Sequence, residues 1–165
     1  MIQKIKELRV TIDGLAQMTK EMNENNTFVG IMNFSIEIRN AHNSLILAKA
    51  WLGNLLGVIG EQTPYANDGK RSDVKDIEPV ADKQVWEYFN DNWKEKNHIE
   101  KVDWLREKIN KVIEPIQKDE FIFHQPVKGR EAAIARTNCY NHLCEARFHL
   151  GFELSRLRDE ANEKK

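Results

Sequence analysis

The stretch Asn43-Ser44-Leu45-Ile46-Leu47-Ala48-Lys49-Ala50-Trp51-Leu52-Gly53-Asn54-Leu55-Leu56 decides the fold, because the chain carries its pattern twice. The second copy runs from Asn141 to Leu154, and both read N-x-L-x-x-A-[K/R]-x-x-L-G-x-x-L. Leu45, Ala48, Leu52 and Leu56 correspond to Leu143, Ala146, Leu150 and Leu154, and spacings of three and four put each set on one face of an α-helix. A cation, Lys49 or Arg147, stands at the edge of each stripe, and a glycine, Gly53 or Gly151, lies one turn further on. Glycine inside a helix costs roughly 1 kcal/mol relative to alanine. Its recurrence beside a cation therefore marks a close approach, by a neighbouring helix or by a ligand that the cation helps to hold. Packing alone explains the same pattern through a snorkelling cation and a tight helix crossing.

Helical periodicity continues on both sides of the two copies. Ile2, Ile5, Leu8, Ile12, Leu15 and Met22 predict a first amphipathic helix over 2–22, which the polar run Asn23 to Asn26 breaks. Thr27 fits the N-cap of a second helix passing through Phe28, Ile31, Ile38, Leu45, Leu52 and Ile59 to Gly60. At about 1.5 Å per residue that helix would span roughly 50 Å, so it is expected to pair with another helix or another subunit over much of its length. From Glu61 to Pro79 the breakers Thr63-Pro64-Tyr65, Asn67-Asp68-Gly69 and Glu78-Pro79 predict one long loop carrying Tyr65, Lys70 and Arg71. It reads either as a functional loop or as a solvated tether. Two shorter helices follow, over 80–92 and 99–117, with Pro115 expected to end or kink the second. Trp86, Trp93 and Trp104 fall in this region and suit packing or a subunit interface. Phe121-Ile122-Phe123 has strand character, and a last helix covers 128–162. The expected fold is all-α: one domain over 1–165, two long antiparallel helices forming a helical hairpin, shorter helices packed across them, and room for one very short strand pair.

A chain of 165 residues with 41% hydrophobic residues can bury a core without disulfides or metal. Its formal net charge of -1 excludes a broadly basic surface built to coat DNA or RNA, so any bound anion must be met by a local cluster. Cys139 and Cys144 stand about 140° apart around one helix and cannot bridge each other there. No signal peptide and no membrane span is read, and a reducing cytoplasm is the expected compartment.

Potential chemistry concentrates on the last helix. His142, Glu145 and His149 could share one face and touch a metal, but a di-metal bundle needs ligands on the facing helix, where the matching positions are Ser44, Leu47 and Trp51. No Gly-x-Ser-x-Gly, glycine-rich phosphate loop or Cys/His signature supports nucleophilic catalysis, and the clustered carboxylates of all-helical pyrophosphatases are missing. Neither a cofactor nor an enzyme is expected. What remains is a set of cations on the long helices, Arg39, Lys49, Arg136 and Arg147, with Asn40, Asn43, Asn138 and Asn141 near them. Guanidinium forks and amides suit phosphates and base edges at the rim of an apolar pocket.

At His142-Leu143-Cys144-Glu145-Ala146-Arg147-Phe148-His149-Leu150-Gly151 the sequence resembles the helical-hairpin domain of phage anti-defence sponges, whose members include anti-CBASS and anti-Thoeris proteins. The first copy has Leu45, Ala48, Trp51 and Gly53 in the corresponding places, and Pro64-Tyr65 followed by Ile77-Glu78-Pro79 and Asp82 is similar to a linker in some phage relatives. The resemblance covers the two long helices and part of the linker, roughly half the chain. It implies binding without catalysis: such proteins sequester cyclic di- or trinucleotides or cyclic ADP-ribose isomers, intact and as homo-oligomers, in the cytoplasm of the infected bacterium. This chain departs from the simple hairpin in its duplicated motif and in an inserted helical segment over about 80–118. The residues expected to contact phosphate or base are Arg147, Lys49, Arg136, Arg39, Asn43 and Asn141, with Tyr65 or Trp51 stacking. The alternative is a helical protein–protein interaction or structural module, whose apolar stripes bind another protein.

Overall fold

A computed structural model of the chain describes residues 2–25, 35–59, 92–118 and 126–163. These form four α-helices: α1 (Ile2–Asn25), α2 (Ile36–Val58), α3 (His98–Gln117) and α4 (Pro126–Glu163). A single 3-10 turn, Trp93–Glu95, precedes α3. The predicted strand-like segment, the loop over 61–79 and nearly all of the predicted helix over 80–92 lie outside the described residues.

Local chemistry sets the helix ends. Ser35 is in extended conformation and its hydroxyl accepts from the Ile38 backbone N–H at 3.3 Å, which starts α2 at Ile36. That corrects the expectation of one unbroken helix from Thr27, itself outside the described residues: α2 has 23 residues, or roughly 35 Å at about 1.5 Å per residue. Asn97 opens α3 with a capping box, its side chain accepting from Glu100 N while the Glu100 carboxylate accepts from Asn97 N. Pro115 sits within the last turn of α3, and the helix ends two residues beyond it, at Gln117. The longest element is α4, with 38 residues.

The most extensive helix–helix contact is between α2 and α4. Ser35 meets Glu153 and Glu37 meets His149, so residue numbers rise along one helix as they fall along the other and the pair is antiparallel. Then α1 packs on α2 and α3 on α4, with a smaller contact between α1 and α3. Leu45, Ala48 and Leu52 and their counterparts Leu143, Ala146 and Leu150 are all fully buried. Each such leucine contributes about 1.5–3 kcal/mol relative to exposure. Trp93 and Trp104 pack against each other in the core, ring centroids 5.3 Å apart. No described helix is long and apolar enough to cross a membrane.

This packing exposes a larger repeat than the one in the long helices. Each copy of the motif is covered by the helix that precedes it, and those two helices match as well. Ile2, Lys4, Leu8, Arg9 and Ile12 of α1 recur in the same order and spacing as Ile99, Lys101, Leu105, Arg106 and Ile109 of α3. The repeating unit is therefore a two-helix hairpin, α1–α2 and again α3–α4.

Candidate functional site

The recurring glycines receive a guanidinium from the preceding helix. In the first hairpin the Arg9 Nε lies 3.5 Å from where a Cβ on Gly53 would stand. In the second, an Arg106 Nη lies 3.6 Å from the same point on Gly151. The close approach expected from the sequence is thus made by an arginine of the neighbouring helix in both copies. The motif cations also reach back to the preceding helix, and there the copies differ. Lys49 forms an ion pair with Asp13, whereas Arg147 Nη1 donates at 2.9 Å to the amide oxygen of Asn110. Asp13 and Asn110 hold equivalent positions in α1 and α3, so a charged partner in one hairpin is a neutral one in the other.

Around Arg147 the surface opens into a groove of about 820 Å³, lined by Arg106 from α3 and by Asn141, Cys144, Glu145, Phe148, Gly151, Phe152 and Ser155 of α4. Phe148 is 61% exposed and Phe152 53%, unusual for side chains of this size, and their rings meet edge to face with centroids 4.6 Å apart. The Nε of Arg106 is buried and has no hydrogen-bond partner among the described residues, an arrangement that normally costs free energy. Among those residues no carboxylate stands within ion-pair distance of Arg147. The Glu145 carboxylate, which also lines the groove, is engaged by His142 Nδ1 at 2.7 Å. Two guanidiniums beside an exposed aromatic pair suit a ligand carrying both an anionic group and a flat ring.

Of the residues expected at a site, Arg147 and Asn141 come together in this groove. Lys49 and Asn43 occupy the equivalent face of the first hairpin, Lys49 held by Asp13 and Asn43 exposed. Arg39 is exposed on α2 and Arg136 half-buried on α4, and neither lines the groove. Trp51 is half-buried and packs against the core. Tyr65 lies outside the described residues. Sequence reasoning did not single out Arg106, Phe148 or Phe152. A detectable signal existed for the phenylalanines, which stand four apart on α4 away from the apolar stripe, where a buried role is impossible.

The His and Glu residues of α4 do not converge on a metal. His149 turns to Glu37 of α2, Nδ1 to carboxylate 2.6 Å, while His142 keeps Glu145. Among the described residues no group of three or more His, Cys, Asp and Glu could hold an ion. Two residues beyond Gly151, the Glu153 side chain is fully buried. Burial opposes its ionisation, but the His98 imidazole, 3.6 Å away, and hydrogen bonds from Arg156 and Ser35 outweigh that cost and bring its pKa down to about 2. Glu153 thereby ties the starts of α2 and α3 to α4. Burial pushes the Cys139 thiol up to about 12, which makes it unreactive. No protein family, curated protein or solved structure matches this chain.

Proposed function

We propose that the chain is a non-catalytic binding protein, which captures a small phosphate-bearing aromatic ligand in the α3–α4 groove and releases it unchanged. The ligand class is the cyclic nucleotide signals, cyclic oligonucleotides or cyclic ADP-ribose isomers, that the resemblance of residues 142–151 to anti-defence sponges implies. One observation carries this reading: among the described residues Arg106 has a buried Nε with no hydrogen-bond partner and Arg147 has no carboxylate in ion-pair distance, and the two border a groove whose wall displays Phe148 and Phe152. Cations bind phosphates, the ring pair offers a face for a base, and Asn141 supplies an amide at the rim. A nucleophile, a general base with a substrate-facing position and a metal cluster play no part in this reading. The cytoplasm of an infected bacterium is the compartment it requires.

A thermal-shift panel of cyclic dinucleotides, cyclic trinucleotides and cyclic ADP-ribose isomers tests the proposal. A ligand at about 100 times its dissociation constant adds roughly 2.7 kcal/mol of stability. The binding compound is expected back intact by chromatography, and Arg147→Ala is expected to abolish its shift. Recovery of a cleaved product would make the protein an enzyme. A second reading, a helical interaction module that self-associates or binds another protein, is favoured by the exposed Ile36, Ile46, Leu47 and Ile134. It would stand alone if no compound in the panel shifts the transition.

A further inference from the structure

The two hairpins are copies of one unit, yet the partner that the preceding helix offers to the motif cation differs between them. In the first hairpin the motif cation Lys49 is neutralised by Asp13 of the preceding helix. In the second, Asn110 replaces that carboxylate by an amide of nearly the same shape, and Arg147 keeps its hydrogen bond at 2.9 Å but loses its counter-charge. The adjoining arginine, Arg9 or Arg106, lies over the glycine in both. The aromatic wall differs too, since Phe148 and Phe152 correspond to Ala50 and Asn54.

We infer that the duplicated unit has divided its labour: the α3–α4 hairpin is the only anion-binding half, and Asp13 is an internal anion that closes the equivalent site in α1–α2. Resting on the proposed ligand reading, this fixes the stoichiometry at one anion per chain where the repeat alone would give two. The charge that Asp13 supplies from within the first hairpin comes to the second from solution. Opposite charges a few ångströms apart at a partly shielded surface attract more strongly than in bulk water, so a carboxylate exchanged for an amide is enough to open or close such a site. Glu145 lines the same groove but does not take the role of Asp13, because its carboxylate pairs with His142 and not with Arg147.

The backbone amides of Gly53 and Gly151, one in each hairpin, report the two sites separately in a nitrogen–proton correlation spectrum. Inorganic pyrophosphate is the probe, because it tests the anion site without a base. In the wild-type chain Gly151 is expected to shift and saturate while Gly53 stays in place. Asp13→Asn is expected to make Gly53 respond as well. Asn110→Asp is expected to weaken the Gly151 response at least tenfold. Both exchanges are nearly isosteric, and the dispersion of the same spectra reports whether each variant is folded. The inference is overturned if Gly53 responds in the wild type as Gly151 does, if Asn110→Asp leaves Gly151 unaffected, or if neither glycine responds in any variant. Should the glycines behave as expected while no cyclic nucleotide binds, the asymmetry stands and the proposed ligand class falls.

Discussion

An alanine at Gly53 or Gly151 would place its Cβ about 3.5 to 3.6 Å from the nearest atom of the overlying guanidinium, an ordinary van der Waals contact. The helix would gain most of the roughly 1 kcal/mol that separates alanine from glycine. We therefore expect Gly53→Ala and Gly151→Ala to raise stability by about 0.5–1 kcal/mol in urea denaturation, and leucine at either place to lower it by displacing the arginine. The repeated glycine was legible in the sequence as a close approach, but the identity of the approaching group was not, because Arg9 and Arg106 lie on other helices. The two cysteines separate in the same way. Cys139 is buried with its thiol pushed up to about 12, whereas Cys144 lines the groove, so a thiol reagent should label Cys144 alone in the folded protein. A ligand in the groove should slow that labelling. Glu153 gives the pH dependence. Its folded pKa of about 2 lies below the ordinary 4.5, so its stabilisation is present above the ordinary value and is lost as pH falls from there towards 2. The contribution at neutral pH is up to about 3 kcal/mol. Glu153→Gln should remove this part of the acid dependence of the melting temperature, and an unchanged acid profile would show that other carboxylates set it.

At the scale of the elements, the caps and the junctions they make decide where helices begin. Ser35 accepts from Ile38 N and also hydrogen-bonds to Glu153, whereas Asn97 caps α3 at an exposed site. Either residue changed to alanine should cost about 1 kcal/mol, with Ser35→Ala the costlier because Glu153 then loses one of its hydrogen bonds. Urea midpoints of the two variants compare them directly. Helical periodicity located α1, α3 and α4 to within a few residues of their observed ends, since their stripes are long and their polar faces well marked. The start of α2 was misplaced because the apolar spacing from Phe28 to Ile38 runs on without interruption, and periodicity does not register a serine whose hydroxyl ends the helix. The antiparallel pairing of α2 with α4 followed from matched stripes that needed each other. The groove did not, because it depends on which residues of α3 come to lie beside Phe148 and Phe152.

For the whole molecule, the decisive fact is that a hairpin has been repeated and that the most extensive interface lies between the copies. The similarity of α1 to α3 escaped sequence reading because its shared residues are the isoleucines, leucines and lysines of any amphipathic helix. Only the pairing of Arg9 with Gly53 and of Arg106 with Gly151 shows which positions correspond. This arrangement has a consequence for folding. Leu45 and Leu143, both fully buried, sit on the stripes by which α2 and α4 face their surroundings, so neither hairpin can complete its core without the other. Unfolding should then be one cooperative transition. In a chain carrying Trp51→Phe and Trp86→Phe, the remaining Trp93 and Trp104 report on the second half, while far-ultraviolet circular dichroism reports on all four helices. The two probes should give coincident urea curves. Leu45→Ala, in the first hairpin, should move both by the 2–5 kcal/mol typical of a large core truncation. If the tryptophan curve instead stayed in place while the dichroism split into two steps, the hairpins would be separate folding units, and the α2–α4 interface would be a docking surface between them.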